Sequence, residues 1–257
     1  MLGWLSWLRV QLDLRPAPTV VERIIVAPEG PPDAPPPAQT PTLLYSRGDG
    51  HAPVVQLYQG DVRDVVPLVP LESVAAIISD PPYALYRYIR ELYEKQHLEP
   101  REDMGWQREV WYWMCEWWFP LRGLLRPDGA MWLFCDLNYL GMYLRLATMI
   151  GYPMRQLWAL SDFEFLIYCS PTRLPVDIAR RIHAAGQLNT YGSKKSVEWM
   201  RVLVDASPEG LIVDPFCGYG ATVVAAAQAG RPAIGVELDE TVAQAACVSL
   251  REMPAAF

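Results

Sequence analysis

Short apolar runs alternate with longer amphipathic or small-residue stretches through most of this chain, a pattern that predicts buried strands separated by helices. Val74–Ser79, Ala130–Cys135, Leu211–Val213 and Ala233–Val236 read as strands. Gln107–Leu125 and Val223–Ala229 read as helices, the second closed by Gly230 with Pro232 just beyond it. The first of these helices carries Trp111, Trp113, Trp117, Trp118 and Phe119 on several sides, which predicts packing against a sheet and against a second surface. Pro127-Asp128-Gly129 makes a turn before the strand at 130. Strands alternating with helices predict an α/β fold with a doubly wound, mostly parallel sheet, whose ligand sites lie at the carboxyl ends of the strands. Asp80, Asp214 and Glu237 each follow such a strand, so the three acids are expected to meet at one edge.

Proline sets residues 1–53 apart from 54–257. Pro28, Pro31, Pro32, Pro35, Pro36, Pro37 and Pro41 favour extended chain that packs poorly. The stretch reads as an N-terminal tail or arm, with Trp4, Leu5, Trp7 and Leu8 on one side of a short helix and a strand over Val20–Val26. Between Ala84 and Trp106 the chain is rich in Tyr, Arg and Glu. That segment is placed to close over a substrate held by the preceding turn.

Two stretches carry chemistry. Asp80-Pro81-Pro82-Tyr83 follows the 74–79 strand, and its prolines hold the acid and the carbonyls in one stiff geometry. A carboxylate and a carbonyl so held accept hydrogens from an exocyclic NH2 group, and Tyr83 can stack on the base that bears it. A turn that merely ends a buried strand would look the same on these four residues. The second stretch begins 134 positions later, at Asp214-Pro215-Phe216-Cys217-Gly218-Tyr219-Gly220-Ala221-Thr222. It reads as strand, glycine turn and helix, an arrangement that lets backbone approach a ligand closely. Glu237, 23 positions after Asp214, stands at the spacing of an acid that accepts bonds from ribose hydroxyls.

With these residues in place the chain resembles the amino-group DNA methyltransferases, which use S-adenosylmethionine to modify adenine N6 or cytosine N4. Leu57-Tyr58-Gln59-Gly60-Asp61 is similar to the family's Gly-Asp segment near the cofactor adenine. Lys195-Ser196-Val197-Glu198-Trp199-Met200 is similar to its Lys-Pro-x-x-Leu helix start, with Ser196 in place of Pro. Phe163–Tyr168 resembles the late antiparallel strand, and the order of the catalytic before the cofactor segment resembles the beta arrangement. Tyr219 stands where the family usually has Ser, and Ala221 where it often has Thr. The resemblance implies a Rossmann-like methyltransferase fold and catalysis by Asp80, Pro81, Pro82 and Tyr83. It implies a cofactor held by Asp61, Lys195, Asp214, Pro215, Phe216, Cys217, Gly218, Gly220, Thr222 and Glu237. It implies DNA as substrate, with the target base flipped from the stack. Asp at the first position of the catalytic motif tilts the expectation to adenine N6. The alternatives are cytosine N4, an RNA substrate, or an S-adenosylmethionine-binding subunit that pairs with an active partner.

Charge opposes a generally DNA-coating surface, because the 257-residue chain carries a net −7. Locally the sign reverses: between Phe165 and Arg201 six Lys or Arg face two acids. Arg173, Arg180 and Arg181 are therefore the candidate phosphate contacts, although such clusters are commonly solvated helix faces. Only about two dozen residues separate Ser170 from Lys195, too few for a dedicated recognition domain. A homodimer or a partner subunit is expected to add contacts.

The remaining composition narrows the class. Hydrophobic residues make up 51% of the chain, enough for a continuous core, and no run is long enough to span a membrane. The five cysteines show neither metal-ligand spacing nor a disulfide framework, so no metal is expected. Without a basic leader or cleavage site at the start, the expected location is the cytoplasm of a prokaryote or phage-infected cell. Cys217 has no neighbouring His in sequence, so it is expected to pack rather than to act as a nucleophile.

Overall fold

The computed structural model describes residues 40–48, 54–82, 106–161, 164–172, 180–182 and 195–253. Tyr83, the segment from 84 to 105, Phe163, Arg173 and everything read into residues 1–39 lie outside the described residues.

Eight strands form one sheet: β1 (Thr42–Arg47), β2 (Val55–Gln59), β3 (Val74–Ser79), β4 (Leu125–Asp136), β5 (Met154–Ala159), β6 (Glu164–Cys169), β7 (Leu211–Asp214) and β8 (Ala233–Glu237). Their order is β1-β2-β8-β7-β3-β4-β6-β5. The five central strands, β2 to β4 in that order, are mutually parallel. β6 and β5 close one edge antiparallel, as the late-strand resemblance implies. The doubly wound, mostly parallel α/β fold is thus the one that the alternating pattern predicts.

β1 pairs antiparallel with β2 at the other edge. It lies inside the stretch assigned on sequence grounds to the arm, whose last residues therefore belong to the sheet. The proline run masks this strand in the sequence. Pro41 precedes it directly, and Thr-Leu-Leu-Tyr-Ser-Arg is too short and too exposed to show a clean alternation.

Every residue of β3 is buried, because helices cover both faces of the sheet. Side chains of a strand alternate between faces, and the core divides accordingly. Ile77, Met131, Leu133 and Val213 face a cluster built with α2 (Trp106–Leu124) and α3 (Leu137–Met149). Ala76, Ile78, Trp132 and Ile212 face the opposite cluster, with α4 (Val197–Ala206), α5 (Ala221–Gln228) and α6 (Glu240–Arg251). Trp113, Trp117 and Trp118 are buried, and Trp117 meets Trp118 edge-on at 5.4 Å, so the aromatic helix is core as expected.

The Pro127-Asp128-Gly129 turn interrupts β4. Leu125 sits opposite Val74 and Ala130 opposite Ala76, so the intervening residues bulge out of the ladder. Close packing on the other face depends on Gly235 of β8. A Cβ there would come within 2.8 Å of Val223 Cγ1 and 3.1 Å of Cys217 Sγ. The absent side chain lets α5 lie against the sheet and fixes the glycine turn that precedes it.

Candidate active site

Strand order reverses between β7 and β3, which lie side by side and parallel. Chain leaving β7 returns to the sheet on one side, while chain leaving β3 returns on the other. The diverging connections open a crevice at the carboxyl ends. Asp80 follows β3 there, Asp214 ends β7, and Glu237 ends β8. β2 brings Gly60 and Asp61 to the same edge, with Gln59 opposite Glu237 and the Gly60 N–H donating to the Glu237 carbonyl at 2.9 Å. Four segments far apart in sequence are thus assembled by register alone.

The glycine turn is tied down by its own backbone and by Glu237. The Cys217 N–H donates to the Val236 carbonyl at 2.9 Å, and the Gly220 N–H to the Cys217 carbonyl at 2.8 Å. Gly218 and Gly220 adopt φ of 53° and 87°, a region that L side chains occupy at a cost. Gly220 also faces α6, where a Cβ would approach Ala246 Cβ to 3.1 Å. Glu237 accepts the Gly218 N–H at 3.0 Å on one oxygen and the Asp239 N–H at 2.9 Å on the other. Each oxygen keeps a second lone pair for a ligand donor. Burial raises the Glu237 carboxyl above its ordinary value, against the pull of those N–H groups.

Asp214 is 3% exposed and accepts the Phe216 N–H at 3.2 Å. Burial pushes its carboxyl up to about 7, opposed by the Thr222 hydroxyl and the Phe216 N–H. A raised carboxyl binds more protons folded than unfolded. Stability therefore falls as pH rises from about 4 to about 7 and levels off above. In urea melts over that window the wild type should lose up to about 1 kcal/mol per pH unit from this group. Asp214→Asn should flatten the slope; an equal slope in both proteins would count against a buried, neutral Asp214.

A cleft of about 170 Å³ opens at this edge, lined by Gly60, Asp61, Asp80, Phe216, Gly218 and Glu237, with Trp113 and Trp117 of α2 as its aromatic side. Trp117 meets Phe216 edge-on at 4.9 Å. A second cavity of about 150 Å³ shares Asp80, Phe216 and Gly218 and adds Lys195, Asp214, Tyr219 and Thr222. One side of the site is thus aromatic and bordered by the carboxylates of Asp61, Asp80 and Glu237. The other holds a glycine turn at a helix start and a lysine, a setting for a charged group.

Lys195 is 4% exposed, and its ammonium contacts Asp80 Oδ2 at 2.9 Å and Glu164 Oε1 at 2.5 Å. The Phe134 ring lies 4.7 Å from Nζ. Burial alone would lower this lysine, but the two carboxylates outweigh it and hold the ammonium above its ordinary value. Ser196, standing where the family has Pro, caps α4 by accepting the Trp199 N–H at 3.1 Å, and so fixes the residue before it.

The structure brings Asp80, Pro82, Asp61, Lys195 and Glu237 together with the Asp214–Thr222 turn around the two cavities, and Pro81 is buried between Asp80 and Pro82. Asp61 spends both oxygens on Arg63 and caps the short helix α1 (Val62–Val65). Cys217 is a buried packing residue whose thiol is pushed well above its ordinary value by burial. Arg180 and Arg181 are exposed beside buried Ile182. Sequence reasoning missed Glu164, Arg63 and the site-facing role of Trp113 and Trp117. For Glu164 a signal existed, a lone acid at the head of an otherwise apolar strand. Among the described residues no group of three or more His, Cys, Asp or Glu is placed to hold a metal ion.

The fold is the Rossmann-like α/β arrangement also seen in solved methyltransferases. Residues 151–247 match the N6/N4 family model described as DNA methylase, which bears out the amino-group resemblance and with it S-adenosylmethionine as the cofactor. Among solved structures, a protein described as a putative DNA modification methylase from Thermus thermophilus is similar at 22% identity and a TM-score of 0.56, over 78% of this chain and 96% of that one. Its complex with S-adenosyl-L-methionine is similar at 21% identity and a TM-score of 0.55, over 78% and 95%. The cytosine-N4-specific PvuII DNA methyltransferase is similar at 15% identity and a TM-score of 0.58, over 79% and 87%. These likenesses are likenesses of fold. Comparison with curated protein sequences finds no match.

Proposed function

We propose that this chain methylates the exocyclic amino group of a base in DNA, adenine N6 in particular, with S-adenosylmethionine as donor. One observation carries the reading: Asp80 and Glu237, on motifs more than 150 positions apart, line a single cleft. In this reading Glu237 accepts bonds from the ribose hydroxyls, while Phe216, Trp113 and Trp117 enclose the adenine. The start of α5 receives the charged methionine end, with Lys195 bordering the same cavity.

When bound, the cofactor supplies a methyl group to a nitrogen whose lone pair forms the new N–C bond, the C–S pair returning to sulfur and the surplus proton passing to water. The chain's own residues prepare that nitrogen. An aromatic amine is a poor nucleophile because its lone pair is delocalised into the ring. Asp80 and the Pro81 carbonyl, by accepting its hydrogens, favour a pyramidal nitrogen, and rigid positioning supplies much of the remaining acceleration. Tyr83 would stack on the flipped base. Asp rather than Ser at position 80 favours adenine. Sequencing DNA from cells expressing the chain, with modified bases identified, tests this; N4-methylcytosine without N6-methyladenine would overturn it.

DNA contact is proposed for Arg173, Arg180 and Arg181. The exposure of Arg180 and Arg181 beside a buried anchor supports this. Replacing Arg180 and Arg181 with Ala should weaken DNA binding alike for all sequences and shallow the log-log salt slope by about 2. A loss confined to one sequence would instead mean base readout. A homodimer or short target site is expected from the little chain available for recognition.

A further inference from the structure

The ammonium of Lys195 creates a difficulty for the proposed chemistry that Glu164 resolves. Methyl transfer places a positive charge on the target nitrogen, and a carboxylate beside that nitrogen stabilises it. Asp80 alone would serve, but Lys195 sits 2.9 Å from its Oδ2, and an isolated Asp80–Lys195 pair carries no net charge. Glu164, at 2.5 Å from the same ammonium, adds a second carboxylate and so one more negative charge than the Asp80–Lys195 pair has by itself.

We propose that Glu164 is a positioning residue for methyl transfer. By sharing Lys195 it restores negative charge beside the nucleophile and pins Asp80 in one orientation. This rests on the functional reading above. Three elements meet to build the cluster: the end of β3, the head of β6 and the residue before the Ser196 cap. Water screens it poorly, since Lys195 is 4% exposed and Glu164 17%. Charge fixed in such a place acts on a transition state more strongly than it would in solution. The Phe134 ring, 4.7 Å from Nζ, adds a cation–π contact to the two carboxylates that hold the ammonium at Asp80. The β5–β6 connection fixes the backbone of Glu164, whose carbonyl accepts the Leu160 N–H at 2.9 Å. A change confined to its carboxyl group therefore leaves the hairpin intact.

Other titratable groups feel this cluster. Cys135 of β4 is pushed up to about 12 by burial, and Tyr143 of α3 is raised for the same reason. Burial pushes the Asp214 carboxyl of β7 up to about 7, so all variants are compared at one pH of about 8.5, above that value.

The test is Glu164→Gln, with Glu164→Asp as rescue. Glu164→Gln should lower kcat for methyl transfer to DNA about tenfold while leaving the KM for S-adenosylmethionine within about twofold. Glu164→Asp should recover most of the loss. A readout independent of turnover comes from the lysines, of which the chain has three. With ¹⁵N-lysine labelling, the buried Lys195 ammonium should give a slowly exchanging Nζ signal, and its titration midpoint should fall by about one pH unit in Glu164→Gln. An unchanged kcat, or equal losses in kcat and thermal midpoint without rescue by Asp, would overturn the proposal. If the wild type transfers no methyl group to DNA, the functional reading fails on its own. The Lys195 midpoint then decides the cluster, and an unmoved midpoint overturns it.

Discussion

Asp80→Ala is expected to lower methyl transfer by about a hundredfold or more while S-adenosylmethionine affinity stays within a few-fold. The separation follows from where Asp80 sits. It borders both cavities and pairs with Lys195, but Glu237 and the Gly218–Gly220 turn, which form most of the cofactor site, are held by backbone bonds in which Asp80 takes no part. The hydrogens that Asp80 would accept belong to the target amine, and those bonds strengthen as the nitrogen becomes pyramidal and cationic. Losing them raises the barrier without touching the ground-state complex. Lys195 keeps Glu164 as partner in the variant, which spares it the severe penalty of a buried unpaired charge. The protein should therefore fold, and a thermal melt close to wild type would confirm that lost turnover is not lost structure. Single-turnover transfer of labelled methyl at saturating cofactor gives the measurement. Turnover within a few-fold of wild type would remove Asp80 from the chemistry.

Much of this protein is legible in its sequence, for reasons that particular residues make plain. Strands buried on both faces announce themselves as apolar runs, and β3, β7 and β8 fall where the pattern places them. The acids that end those strands follow, because a parallel sheet delivers the carboxyl ends to one edge. Meetings between distant segments are hidden. Glu164 and Lys195 are 31 positions apart, and nothing in either segment states that a β hairpin and a helix cap will meet at Asp80. Trp113 and Trp117 illustrate a different limit. Their burial is readable from the aromatic helix, but whether a buried ring faces core or cleft depends on the crossing of α2 over the switch point. β1 is obscured for a third reason, since a short edge strand with one partner needs little hydrophobic signal of its own.

Glu237→Ala should weaken S-adenosylmethionine binding by about 1.5 to 3 kcal/mol, the usual worth of hydrogen bonds to a charged group. The carboxylate has two tasks here, and a single variant does not separate them. Its oxygens accept the Gly218 and Asp239 N–H groups at 3.0 and 2.9 Å, so removal leaves the glycine turn without its tie to β8 in addition to costing any ribose contact. Glu237→Gln divides the effects. An amide retains one acceptor oxygen, which can hold either N–H but not both, and it withdraws the charge from the ligand. If ribose recognition dominates, Gln and Ala should lose similar affinity, because neither offers a charged acceptor for two hydroxyls. If anchoring of the turn dominates, Gln should stay nearer to wild type in both affinity and thermal midpoint. Calorimetric titration of the three proteins with S-adenosylmethionine, beside melts without it, measures both quantities. Wild-type affinity in Glu237→Ala would mean that the ribose is held elsewhere, and would leave the acid at the end of β8 a structural clamp on the turn.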